Sequence, residues 1–208
     1  MKFYGIRKIE MEVNMGLFGL SHEFKKELYY IKDKNYKKAM LKLLDGLPGY
    51  FYVIGESFNN PYVAEYSKGR CGKIKETKVS TRIAYELLSD PVIGSDYSEK
   101  EKDLILMSII LHDGLERGRL GVDAVVFEHP ILISEYIKYA NVGLTLEDRD
   151  FLCSMVEAHS GIDNHHDRND RVLPLPQSKY QKFVYMCIKM GNMKFFDIKF
   201  NANNEIEK

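Results

Sequence analysis

The sequence predicts an all-α domain, and three observations carry that prediction. Apolar residues recur at intervals of three and four through most of the 208 residues, the spacing that lines them up on one face of a helix. Helix-start signals precede these stripes at Ser98 with Glu101, at His129 with Pro130, and at Thr145. Alternation of apolar and polar residues is confined to the two ends of the chain.

The elements follow in order. Ile6, Ile9, Met11 and Val13 stand against charged neighbours and read as a short strand, closed by the turn-like break at 16–19. Phe24, Leu28 and Ile31, then Met40, Leu41 and Leu44, give two amphipathic helices split near Asn35. Seven lysines lie between Lys25 and Lys42, interspersed with acidic residues; they read as a solvated face, with an interaction surface as the other reading. Gly46, Pro48 and Gly49 punctuate the chain before Tyr50, Phe51 and Tyr52, and residues 59–73 read as a loop. The stripe Val79, Ile83, Ala84, Leu87 predicts a helix over about 75–89, ended by Pro91.

Ser98 and Glu101 form a capping box. The run from Leu104 to Leu111 is apolar nearly all round, which predicts a central buried helix ending in His112-Asp113-Gly114. His129 as N-cap with Pro130 opens a helix to about Tyr139. Thr145 caps the next, whose stripe is Leu152, Met155, Val156 and His159. A polar loop from Gly161 to Pro176 leads to a helix over about 178–193, and Lys194 to Phe200 alternate as a strand that pairs with the first in a small two-stranded β ribbon.

Composition bounds the function. Apolar residues make up 45% and charged residues 29%, enough hydrocarbon for a core and unlike a disordered chain. Thirty basic residues balance thirty acidic ones, which removes the field that bulk nucleic-acid binding relies on. No run of eighteen apolar residues and no secretory leader is visible, so the expectation is a cytoplasmic protein without membrane contact. Cys71, Cys153 and Cys187 are widely spaced and odd in number, which fits reduced thiols better than a disulfide framework.

Polar groups at the ends of apolar stripes are the informative ones, because a buried imidazole or carboxylate costs several kcal/mol of desolvation unless something compensates. His112 and Asp113 close the most apolar helix, His129 caps the next, and His159 continues a buried stripe. Nitrogen and oxygen donors of this kind suit a divalent cation such as manganese, iron, zinc, nickel or magnesium.

The stretches Leu43-Leu44-Asp45-Gly46-Leu47-Pro48-Gly49-Tyr50-Phe51, Glu76-Thr77-Lys78, Ile110-Leu111-His112-Asp113-Gly114-Leu115, Glu128-His129-Pro130, Ala158-His159-Ser160-Gly161 and Leu173-Pro174-Leu175-Pro176 with Gln181-Lys182-Phe183-Val184 resemble HD-domain metal-dependent phosphohydrolases. The likeness is to the compact form found in bacteriophages and bacteria. It spans 36–200, leaving 1–35 as an N-terminal extension and 201–208 as a polar tail. The resemblance implies a helical bundle whose metals are held by an early histidine, the His-Asp pair, two further histidines and a late aspartate. His112, Asp113, His129 and His159 match, while Glu76 stands at the early histidine and Ile188 at the late aspartate. In such proteins the metals activate water for attack on phosphorus. Glu76 is either a replacement ligand or a helix-cap residue; Ile188 donates nothing, and Asn192 one turn on substitutes only weakly.

The resemblance therefore implies a degenerate member that binds a nucleotide or cyclic nucleotide, with hydrolysis impaired or lost, in the manner of a protein that sequesters a nucleotide signal. The alternative is an active phosphohydrolase working through Asp113, His129 and His159, and a third reading is an interaction module with a vestigial pocket. His112 and Asp113 are the catalytic candidates; Arg117 and Arg119 are the candidates for substrate contact together with Thr77, with Lys73 and Arg70 weaker. Tyr50, Tyr52, Tyr62 and Tyr66 offer base stacking or core packing. His165 and His166 among aspartates read as solvated, with a second metal site as the sharper option. Apolar residues near Phe18 and Phe24 hint at a homodimer.

Overall fold

The computed structural model describes residues 20–167 and 170–194. Among them the chain is mostly helical and contains no sheet. Apart from Lys194, the predicted β ribbon lies outside the described residues, as does the polar tail.

The N-terminal pattern does not become a full helix. A 3-10 turn over Leu20–Phe24 runs into a single α-turn, α1 (Lys25–Leu28), and the chain then leaves helical geometry. The cause lies in a distant residue: the buried Asp103 carboxylate accepts the backbone N–H groups of Lys32 and Asp33, each at 2.8 Å. Those two donors are thereby lost to a continuing helix. Asp33 restarts the chain by accepting from the N–H groups of Asn35 and Tyr36, so α2 (Lys34–Asp45) is capped by Asp33, two residues ahead of the predicted split. Through Phe24, Leu28 and Ile31, the segment from Phe24 to Ile31 thus packs in the same core as the later helices.

α3 (Gly72–Ser89) begins three residues earlier than its apolar stripe indicates. α4 (Glu99–Leu111) starts at the predicted Ser98–Glu101 capping box and runs through the centre of the core, with Ile105, Met107, Ile109, Ile110 and Leu111 fully enclosed. α5 (His129–Tyr139) has Glu128 at its cap position, so His129 and Pro130 both lie in its first turn. A short connection folds α6 (Leu146–Glu157) back against α5, with the Thr145 hydroxyl accepting from Asp148 N–H. α7 (Lys179–Asn192) opens with a second capping box, Ser178 with Gln181, and lies along α3.

The α3–α7 contact is close because it has a glycine in it. A Cβ on Gly191 would stand 2.0 Å from Ser80 Oγ and 2.9 Å from its backbone nitrogen. Gly191→Ala gains helix propensity of about 1 kcal/mol, but it must push α3 and α7 apart at a cost in the upper range of the roughly 1–3 kcal/mol typical of overpacking. The expected outcome is a net fall of a few degrees in the melting temperature by circular dichroism, about 2–4 °C for each kcal/mol. An unchanged or raised melting temperature would contradict this packing.

No described helix is long and apolar enough to cross a membrane. Cys71, Cys153 and Cys187 are all free thiols, and the latter two are buried.

Candidate metal centre

Three histidines and one aspartate converge where α4, α5 and α6 meet, and local backbone sets each ring. His112, just past the last turn of α4, places its Nδ1 2.7 Å from the carbonyl of Ile109. His129 in the first turn of α5 places Nδ1 2.8 Å from the carbonyl of Val126, and His159, just beyond α6, places Nδ1 2.6 Å from that of Val156. A carbonyl only accepts, so each Nδ1 carries a proton, and in the neutral ring Nε2 then presents a lone pair. This is the arrangement by which metal-ligating imidazoles are oriented.

The three Nε2 atoms face Asp113. His129 Nε2 and His159 Nε2 lie 3.1 and 3.2 Å from Asp113 Oδ1 and 3.1 Å from each other. Three acceptors this close repel one another unless a positive charge sits among them. Donors about 2.1 Å from one ion and roughly 90–109° apart stand about 3.0–3.4 Å from one another, and these spacings match. Burial drives the pKa of His159 down to about 4, which keeps its lone pair available at neutral pH. The group Asp113, His129 and His159 has the composition and geometry to hold a metal ion.

A second group, Glu76, His112 and Asp113, lies on the other side of the same carboxylate. His112 Nε2 is 3.1 Å from Asp113 Oδ2, yet it is buried without a hydrogen bond. The surroundings of this group are already occupied by an ammonium. Lys73 in the first turn of α3 sets Nζ 3.0 Å from Asp113 Oδ2, 3.0 Å from Glu116 Oε1, 3.4 Å from Glu76 Oε2 and 3.8 Å from Glu56 Oε1. Asn192 donates its side-chain N–H to Glu76 Oε1 at 2.9 Å. Burial pushes the pKa values of Glu76 and Glu116 up against the pull of Lys73. Burial acts the same way on Asp113, but the charges of His112 and Lys73 outweigh it and hold that carboxyl well below the usual range. For His112 burial disfavours the imidazolium, and the Asp113 carboxylate overrides it and raises the pKa. Four carboxylates around one ammonium leave three negative charges uncompensated when all are ionised, a local field that favours a cation.

These groups open onto a cavity of about 440 Å³ whose other walls include Tyr62, Val125, Phe127, Tyr185 and Ile188. Glu76, His112, Asp113, His129, His159 and Lys73 all line it. Ile188, only 7% exposed, supplies the apolar wall that its side chain predicts.

The substrate-contact candidates fare differently. Arg117 and Arg119 are not among the lining residues. The chain turns at Gly118 and Gly121, both with positive φ, so that Arg119 is exposed beside a separate recess with Gly46, Pro48, Leu115 and Tyr136. The backbone of this segment is held by Tyr50, whose hydroxyl donates to the Gly118 carbonyl at 2.6 Å and accepts from Arg117 N–H. Thr77 is buried in α3 and donates to the Lys73 carbonyl, and Arg70 is exposed away from the cavity. Lys73 lines the cavity, but as the counter-ion of its carboxylates it does not reach out to a ligand. Tyr52 packs in the core with its hydroxyl on the Leu44 carbonyl, while Tyr66 bonds the Gly191 carbonyl. His165 and His166 are exposed, the latter with its ring against Phe127.

Sequence reasoning missed Glu116, Glu56 and Lys189. The signal for Glu116 was its position three residues after Asp113, one turn along the same face. Lys189 lines the cavity 3.5 Å from Asp163 and is the other lysine there.

No protein-family model, curated protein or solved structure matches the chain.

Proposed function

We propose that this chain is a degenerate HD-type phosphohydrolase that holds one divalent ion through Asp113, His129 and His159 and uses it to bind a nucleotide or cyclic nucleotide, with hydrolysis weakened or lost. One observation carries the reading: two imidazole lone pairs and a carboxylate oxygen converge at 3.1–3.2 Å with both Nδ1 protons tied to main-chain carbonyls. Two nitrogen donors favour manganese, iron, nickel or zinc over magnesium. A divalent ion there would supply the positive charge that a phosphate needs and would lower the pKa of a water.

The cavity walls support the rest. Carboxylates from Glu56, Glu76, Asp113, Glu116 and Asp163 outnumber the two lysines, both of which are paired. An anion is repelled from such a pocket until an ion is loaded. The volume lies within the usual 300–1,000 Å³ or so for small-molecule sites, and the aromatic and aliphatic wall suits the flat face of a base. Ile188 puts hydrocarbon where a metal-bound carboxylate belongs in the resembled family, which is the reason hydrolysis is weakened.

The test is to incubate the protein with linear and cyclic nucleotides and manganese, then chromatograph the mixture before and after heat denaturation. A nucleotide that leaves the free pool and returns intact on heating, only with metal present, is the expected result. Neither retention nor conversion in any sample would overturn the reading. Ion removal should also register as stability: at one hundred times its dissociation constant an ion adds about 2.7 kcal/mol. Adding a chelator should then lower the melting temperature by roughly 5–11 °C.

A second reading, an active hydrolase, is favoured by Glu116, a buried carboxyl of raised pKa on the cavity wall that is able to exchange a proton. It predicts a new product peak in the same experiment, faster turnover in Ile188→Asp, and none in Asp113→Ala.

A further inference from the structure

Asp113 divides its two oxygens between two environments. Oδ1 faces His129 and His159, and Oδ2 faces Lys73 at 3.0 Å and His112 at 3.1 Å. Asp113 is thus the one residue common to both candidate donor groups. On the Oδ2 side a cation is already built into the chain. Lys73 is 2% exposed, and its ammonium has three donors for carboxylates on three different segments: Asp113 and Glu116 after α4, Glu76 on its own helix, and Glu56 in the loop before α3. Glu76 has both oxygens committed, Oε1 to Asn192 and Oε2 to Lys73.

We propose that the Lys73 ammonium takes the place of a second metal ion, so that the centre accepts one ion per chain and Lys73 is the group that excludes another. The inference rests on the reading that Asp113, His129 and His159 hold an ion. A divalent ion bound to Asp113 Oδ2 at about 2.1 Å would stand no more than about 5 Å from the ammonium, which is itself 3.0 Å from that oxygen. It would also compete for the Glu76 oxygen that the lysine contacts. The built-in charge neutralises some of the carboxylate excess on one side of Asp113 and leaves the other side dependent on a bound ion. It also explains how Glu76 and Ile188 coexist at the two altered positions: with an ammonium in place, this side of the carboxylate has no need of an imidazole or a second aspartate.

The test counts ions. Wild-type protein and Lys73→Met are titrated with manganese by calorimetry, and bound metal is counted by elemental analysis after gel filtration. The expected result is one ion in the wild type and two in Lys73→Met, where electron paramagnetic resonance shows exchange-coupled manganese in place of the isolated six-line signal. Two ions in the wild type, or one in a folded Lys73→Met, would overturn the inference while leaving the metal centre standing. No ion in the wild type would overturn the metal centre and the inference with it. His129→Ala, which leaves the lysine cluster intact, provides a measurement that does not depend on the folding of Lys73→Met. Its expected count is zero, and one retained ion would show that the lysine side takes metal after all.

Discussion

Asp113→Asn is expected to weaken ion binding sharply while leaving a folded protein. The substitution keeps shape and volume but replaces the charged donor of the His129–His159 group with a neutral amide. Manganese affinity should fall at least about 100-fold, beyond what is seen on losing an outer hydrogen-bonding partner. Nucleotide retention should vanish with it. Removing one partner of an isolated buried ion pair costs about 3–5 kcal/mol; here Glu116 and Glu76 remain 3.0 and 3.4 Å from the lysine, so the loss should sit at or below the lower end. Calorimetry for the ion and circular dichroism for the fold separate the two effects. A variant that binds manganese within threefold of the wild type would show that Asp113 is not the central ligand.

Ile110→Ala should give the converse, a large loss of stability with the donor set intact. Ile110 is fully enclosed in α4, two residues before His112 and within the shared core. Deleting three carbons there leaves a cavity, and such truncations cost about 2–5 kcal/mol. For a chain of this length that is a fall of roughly 4–20 °C in melting temperature. Below the transition the variant should still bind one manganese ion. A loss under about 1 kcal/mol, judged against the range for such truncations, would mean that α4 is less tightly enclosed than the packing indicates.

Features legible in the sequence and features hidden from it divide along the range of the interactions involved. Helix starts at Ser98 and Thr145 were readable because a cap is a contact across three residues. His112, Asp113, His129 and His159 were readable because each is a polar group set at the end of an apolar run. The early break at Asp33 was not, since it depends on a carboxylate seventy residues away at Asp103. The place of Lys73 depended on α3 beginning at Gly72, which turns a loop lysine into a first-turn residue one helical turn from Glu76. Arg117 and Arg119 were set beside the pocket by sequence proximity alone; neither lines it, and Arg119, between two positive-φ glycines, stands beside a separate recess.

The histidine orientations have one more consequence, for mutational tolerance. Each Nδ1 proton rests on a main-chain carbonyl three residues earlier, at Ile109, Val126 and Val156. Any amino acid supplies a carbonyl, so the groups that aim the three rings leave no mark on residue identity. Side-chain exchange at Val126, which is not among the fully enclosed core residues, should leave ring geometry untouched. An alanine scan read for ion binding would therefore find the donors and pass over Val126, whereas at the fully enclosed Ile109 and Val156 it would register lost packing rather than lost aim.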